Sequence, residues 1–480
     1  MREMRTRVAA LAACAVFWGA SPVAGAASPR AQLPEGLDQE LLTELDDFAE
    51  WTNDKKLYIA RNEAFVIMLK LDDENERAYK GLKYKRNKSG GWDAPSKPAK
   101  VKNYGKKDLE EMEERWSAIG DAHRSRVMQV FEAKGLSPHL GDGAVLLESC
   151  LWLNEADEAV RALRGEVLVD DAWVLQETAN AKVRRGELRD MKDQALGMAG
   201  AQIESTEVSA EEAALGVSFQ ALATPVVRVL GSCDPEELHQ AAIANHAVGD
   251  FFRSVFGRKT SHWSDMTIFI LSSDRDRDVF LNNYPGMTPE EREFRRGLIA
   301  AGFPRSPNVA AWDGERLRRL DSVTRHTMGS FLIQAFNTST DRGWVWEGFG
   351  MYLTRALIGT RLTWYITGPS TADPASQKMR SLLMGSQANW MNEAYKLIEK
   401  GESPPLAAML SKGVDTMEVT DTLMSYALAA YLLEGWPEKV GPLLEAVGQT
   451  SQPGQAFEQV LGMDLESVDA RMQRWIGERR

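Results

Sequence analysis

The stretch Leu320-Asp-Ser-Val-Thr-Arg-His326-Thr-Met-Gly-Ser-Phe-Leu-Ile-Gln-Ala-Phe336, followed by Asn337-Thr-Ser-Thr-Asp-Arg-Gly343 and Trp344-Val-Trp-Glu347-Gly-Phe-Gly-Met-Tyr352-Leu-Thr-Arg-Ala-Leu357, decides how the second half of the chain reads. Val323, Met328, Phe331, Leu332, Ala335 and Phe336 recur at helical spacing, residues 337–343 break the pattern, and Trp346, Phe349, Gly350 and Leu353 resume it. Two helices joined by a polar connection follow, with His326 on the first and Glu347 opening the second.

That layout resembles the gluzincin metallopeptidases, more narrowly the peptidase MA-like proteins, in which a helix carrying His-Glu-x-x-His precedes a helix opening with Trp-x-x-Glu-Gly-x-Ala-x-Tyr. Trp344-Val-Trp-Glu347-Gly348-Phe-Gly350-Met-Tyr352 is similar to the second element. Catalytic zinc needs two imidazoles one helical turn apart, a third ligand, an open position and a nearby carboxylate base. With His326 as the first histidine, Thr327 stands at the base position and Ser330 at the second ligand position. With His326 as the second, Ser322 and Val323 stand there instead. Neither register supplies a base, and the first keeps the apolar stripe intact. The resemblance therefore implies a metallopeptidase scaffold with a dismantled centre. His326 and Glu347 remain as vestigial metal ligands, with no catalytic residue and no cofactor. The alternative is a zinc-dependent hydrolase with atypical ligands. The other histidines, His123, His139, His239, His246 and His262, show no ligand-like spacing, although His246 and His262 belong to the same half of the chain.

With 480 residues, 44% of them apolar and 26% charged, the chain is long enough for two or three ordinary globular domains. Its net charge of −12 argues against nucleic acid as a general partner. Residues 1–7 carry three arginines, residues 8–18 are apolar, and Ala24-Gly-Ala26 offers a cleavage site, so residues 1–26 read as a secretory signal. Its removal leaves a chain of about −14. Leu11-Ala-Ala-Cys14 resembles a lipobox, which is the alternative, a lipid anchor on Cys14; the apolar run continues past that cysteine and favours cleavage near Ala26. The expectation is an exported protein, periplasmic or extracellular. Residues 423–433 are apolar but too short to span a bilayer and read as a core helix. Cys150 sits in an apolar helical run as a buried thiol, although export would permit pairing with Cys233.

After a linker at 27–36, residues 37–51 and 57–70 show helical apolar spacing. Leu69-Lys-Leu-Asp-Asp-Glu-Asn-Glu-Arg-Ala78, with Trp92 23 residues after Leu69, is echoed by Leu151-Trp-Leu-Asn-Glu-Ala-Asp-Glu-Ala-Val160, with Trp173 22 residues after Leu151. This pattern resembles tetratricopeptide-type helical hairpins. Residues 80–107 hold ten lysines and arginines against one acid, Asp93. They read as an exposed loop or ribbon, with contact to an anionic surface as its functional reading.

Composition shifts across the acidic connection at 204–212. Residues 225–230 and 266–271 read as strands separated by a helix through 238–256, residues 282–305 as a loop and helix, and 308–312 as an edge strand. The fold expected is α+β, predominantly helical. It comprises a tetratricopeptide-like helical domain at 27–200, the basic stretch 80–107 within it, and a gluzincin-like domain with a small sheet at 222–480, divided between 198 and 222. The function expected is a binding or scaffold module for a protein or peptide partner, with the oligomeric state left open.

Overall fold

The computed structural model describes residues 33, 36–95, 105–258, 266–298, 300–303, 306–312, 314–362, 374–385 and 387–479. The expected signal at 1–26, Cys14, His262 and residues 96–104 of the basic stretch lie outside the described residues. The protein is predominantly helical with small sheets, and it divides into two compact units, one up to Leu168 and one from Val169 onward.

In the first unit, helices α1 (Leu37–Asp54) and α2 (Tyr58–Leu71) pack together through Leu41, Leu45 and Phe48 against Ala64, Phe65 and Met68. Positions 37, 41, 45 and 48 of α1 recur at three- and four-residue steps and are all buried, the stripe a helix needs to cover a core. A short helix α3 (Glu76–Gly81) and the antiparallel ribbon β1 (Lys85–Arg86) and β2 (Trp92–Asp93) follow. Next come the 29-residue α4 (Lys106–Lys134), then α5 (Gly141–Leu153), α6 (Glu158–Leu163) and β3 (Glu166–Val169). Leu146, Leu147, Cys150 and Val160 close a second core with Val127 of α4.

The sequence echo is a structural repeat. After α2 and after α5 the chain leaves the helix through Asp72 (φ −140°, ψ 99°) and Asn154 (φ −142°, ψ 93°). It then starts a six-residue helix capped by Asn75 (φ −61°, ψ 94°) and Asp157 (φ −66°, ψ 96°). Each cap side chain accepts the backbone N–H three residues on, at 3.0 Å from Ala78 and 3.1 Å from Val160. Each short helix is followed by a left-handed residue, Lys83 (φ 66°) or Gly165 (φ 67°). The repeated piece is thus helix, turn and short helix.

The second unit begins with β4 (Ala172–Leu175) and the 25-residue α7 (Gln176–Gly200). The remaining elements before the site are β5 (Glu204–Thr206), α8 (Ala210–Ala213), β6 (Gln220–Ala223), β7 (Arg228–Gly231), α9 (Pro235–Phe256), β8 (Thr267–Ile270), α10 (Asp274–Asn283), α11 (Pro289–Arg296), β9 (Ala300–Phe303), β10 (Ser306–Ala311) and α12 (Arg316–Phe336). The sheet runs β5-β6-β7-β8-β10-β9. β7, β8 and β10 are parallel, and the outer strands are antiparallel to their neighbours. α9 is the crossover between β7 and β8, opened by Asp234 as N-cap with Pro235 behind it and closed by left-handed Gly257. A π-helical turn, Trp344–Phe349, leads straight into α13 (Gly350–Ile358). It is followed by α14 (Pro374–Leu383), α15 (Trp390–Glu399), α16 (Leu406–Leu410), α17 (Val419–Gly435), α18 (Pro437–Gln449), α19 (Pro453–Leu461) and α20 (Leu465–Glu478). α17 is buried nearly all round, as its uniform apolar run from Leu423 to Leu433 requires, and the other helices gather on it. Among the described residues no helix is long and apolar enough to cross a membrane.

Three features differ from the sequence reading. The units divide at Leu168, upstream of the expected 198–222, because α7 buries Leu188, Ala195 and Ala199 in the core that contains α9 and α17. Its charged surface masks that allegiance. The strand expected at 308–312 is not an edge; β10 lies between β8 and β9. The edge on that side, Ala300-Ala-Gly-Phe303, has no β-branched residue to announce it and falls where the sequence suggests loop.

Candidate functional site

His326 and Glu347 sit where the helix–connection–helix reading expects them. α12 ends at Asn337, which takes the left-handed conformation (φ 50°) open to asparagine, and Glu347 lies in the π-helical turn. Widened turns of this kind are frequent at functional positions. Gly348 is required sterically, since a Cβ there would stand 2.3 Å from the Ser425 carbonyl oxygen of α17. The Glu-Gly pair therefore lets the turn press against the central helix.

The two residues face different neighbours. The Glu347 carboxylate is fully buried and is held by the guanidinium of Arg325, itself 1% exposed, in a short Nη2–Oε2 contact. Burial raises the Glu347 pKa, and Arg325 opposes that shift by charge and hydrogen bond. Its second oxygen, Oε1, is buried without a hydrogen-bond partner among the described residues. His326, the next residue on α12, is half-buried and meets the Trp346 ring edge-on, 5.7 Å between centroids and 85° between planes. A Cβ on Gly302 of β9 would come within 2.6 Å of its ring. The edge strand therefore approaches the imidazole as closely as it does only because Gly302 lacks a side chain. Loss of hydration, with Arg325 alongside, pushes the His326 pKa down to about 4, so the ring is neutral at physiological pH.

The remaining positions of the expected centre are committed elsewhere. Thr327, which stands where a peptidase would keep its base, donates to Asn245 Oδ1 of α9 at 2.7 Å or to the Val323 carbonyl at 2.9 Å, and is buried. Ser330 is buried as well. Asp321 accepts from Thr360 at 2.8 Å. His246 is buried on α9 with Asp250 at 4.0 Å, and burial lowers its pKa. Among the described residues no three His, Cys, Asp or Glu side chains are grouped to hold a metal ion. The donor set does not fit catalytic zinc, because a guanidinium already pairs with the carboxylate that would ligate and the residue after His326 is a neutral threonine that cannot act as a base near neutrality.

Arg325 is the residue the sequence reading missed. Its signal was faint, because Arg325 stands among polar neighbours, Ser322, Thr324, His326 and Thr327, 22 residues before a glutamate that opens the next helix.

Other candidate features are inert or remote. Cys150 and Cys233 are free and buried, and desolvation pushes both thiols up to about 12, which leaves them unreactive near neutrality. Two shallow cavities lie away from His326. One of about 360 Å³ is lined by Arg184, Glu187, Phe256 and Glu438, and one of about 280 Å³ by Arg258, Phe336 and Glu445. In the first unit, the described part of the basic stretch exposes Lys83, Lys85, Arg86 and Lys88 on the ribbon. Arg86 lies 5.7 Å from the Trp92 ring, which stacks on Tyr79 at 4.6 Å and 8°.

Comparison with protein families, with curated proteins and with solved structures finds no match.

Proposed function

We propose that the second unit is a non-enzymatic binding or scaffold module, built on a degenerate metallopeptidase-like site, within an exported protein whose partner is a protein or peptide. The buried Arg325–Glu347 ion pair carries this reading. A carboxylate paired to a guanidinium in a dry site is held by that partner, and a divalent cation entering beside it would meet a positive charge. The surface that supports it is β9, which pairs on one side only among the described strands and runs past half-buried His326 and Trp346, a setting suited to strand addition. The exposed lysines of the β1–β2 ribbon support a further contact with an anionic surface.

Elemental analysis of the purified protein tests this reading. Substoichiometric zinc, with no cleavage of a mixed peptide library, is expected. About one zinc per chain that disappears in His326→Ala would overturn it. Hydrogen exchange at residues 300–303 should slow when a library of extended peptides is added, and unchanged exchange there would remove β9 as the contact.

A further inference from the structure

A second feature of this unit stands on its own geometry and not on the binding-module reading. Arg361 follows the left-handed residue Gly359 that ends α13, and it is only 7% exposed. Its guanidinium lies 5.0 Å from the Trp390 ring centroid and 5.7 Å from that of Tyr426, and Nη2 donates to the Ala388 carbonyl. The two rings are themselves in contact at 4.9 Å. The aromatic rings and one carbonyl thus account for the planar group's faces and one of its donors, and the Nε edge is left over. Nε is buried and has no acceptor among the described residues. No carboxylate of the described residues stands within ion-pair distance of Arg361; Asp321, whose charge acts on it weakly, accepts a hydrogen bond from Thr360.

A buried guanidinium without a counter-ion is among the least favourable arrangements in a protein interior, and here a second positive charge is added to it. Arg355, exposed on α13, donates to the Tyr426 hydroxyl at 3.0 Å and lies near enough to repel Arg361. Because the Tyr426 oxygen accepts from Arg355, its own proton remains available to a further acceptor. In an acidic protein, two arginines and a buried phenol converging with one carboxylate at a distance form an environment that lacks a negative charge. Burial, with Arg355 adding to it, holds the Arg361 pKa down at about 10, the direction expected of a cation short of its counter-ion.

We infer that Arg361, Arg355 and Tyr426 form a binding site for an oxyanion, a carboxylate or phosphate group that is received along the Nε edge of Arg361. The planar fork of arginine suits a two-oxygen acceptor, and stacking on aromatic faces is the setting in which arginine rather than lysine serves.

The test titrates the full chain with inorganic phosphate and, separately, with acetate, at ionic strength held constant with sodium chloride, following thermal unfolding and calorimetric heat. A saturable rise in Tm is expected for at least one anion. Preference for acetate identifies a carboxylate group as the ligand, and preference for phosphate identifies a phosphate group. Arg355→Gln, at an exposed position, should weaken that binding about tenfold or more, the loss expected for a charge-assisted hydrogen bond. Arg361→Lys retains the charge and removes the fork, and it should abolish saturation while leaving the circular dichroism spectrum unchanged. If Arg361→Lys does not fold, Arg355→Gln alone decides. Responses that rise linearly with both anions, or saturation that is the same in Arg355→Gln and wild type, would overturn the assignment.

Discussion

Glu177 and Arg471 are joined across 294 residues of chain by a two-pronged ion pair. Nε of Arg471 donates to one carboxylate oxygen at 2.8 Å and Nη2 to the other at 2.7 Å. Both residues are buried, and the Tyr431 hydroxyl donates to the same carboxylate at 2.9 Å. The pair ties the start of α7 to α20 and to the central helix α17, and it adds to the burial of Leu188, Ala195 and Ala199 that places α7 in the second unit.

A buried pair of this kind is costly to break and often neutral to replace. Glu177→Ala should destabilise the second unit by about 3–5 kcal/mol, because Arg471 is then left charged and dry. The double variant Glu177→Leu with Arg471→Met should recover most of that loss. Chemical unfolding of the three variants checks this, and a double variant no more stable than Glu177→Ala would show that the pair is not acting as a unit.

The same physics separates a structural from a metal-binding Glu347. As the partner of Arg325, its replacement by Ala should cost about 3–5 kcal/mol, with zinc content and activity unchanged. As a zinc ligand, its loss would instead empty the site. Measuring stability and metal content on the same sample of Glu347→Ala distinguishes the two.

The turn repeated at Asn75 and Asp157 predicts matched effects. Each side chain satisfies one orphan N–H at the start of a six-residue helix, and replacement of such a cap by Ala costs about 1 kcal/mol. Asp157→Ala should cost more than Asn75→Ala, since Asp157 also accepts from Arg124 at 2.9 Å. Equal losses in urea unfolding would show that this ion pair adds nothing.

Much of this architecture was legible in the sequence. Apolar spacing located α12 and the turn carrying Glu347, and β-branched runs located β7 and β8, because these segments bury one consistent face. The repeat was visible because its caps and turns need particular residue types at fixed separations. What stayed hidden depends on partners distant in sequence. The surface of α7 is polar, and its allegiance is decided by Leu188, Ala195 and Ala199, buried against helices distant in sequence, together with the Glu177–Arg471 pair. β9 is four residues of alanine, glycine and phenylalanine whose pairing with β10 overrides their weak preference. Within the candidate site, the sequence located His326, Thr327, Ser330 and Glu347 on two neighbouring helices but not the partners that each side chain meets. That Arg325 rather than His326 meets Glu347 is a matter of 100° around one helix, which a linear pattern does not resolve.

His123 gives the clearest pH signature. On α4 it is fully buried, with its Nε2 at 2.8 Å from Ser149 Oγ. Desolvation, followed by the Arg126 charge, pushes its pKa down to about 4 from the ordinary 6.5, against a weaker opposing pull from Glu44. A histidine whose folded pKa is depressed binds its proton more readily in the unfolded chain. The first unit should therefore hold the full contribution above about pH 6.5 and lose it as pH falls toward 4, by up to about 1.4 kcal/mol per pH unit and roughly 3 kcal/mol in all. His123→Gln retains a hydrogen-bonding group for Ser149 and does not titrate. Its stability should fall less steeply than that of the wild type across the same window, while the two curves run parallel above pH 7. Urea unfolding of both proteins at half-unit steps from pH 4 to 8 makes the comparison, and curves that stay parallel down to pH 4 would mean that His123 is protonated in the folded state or is not buried there.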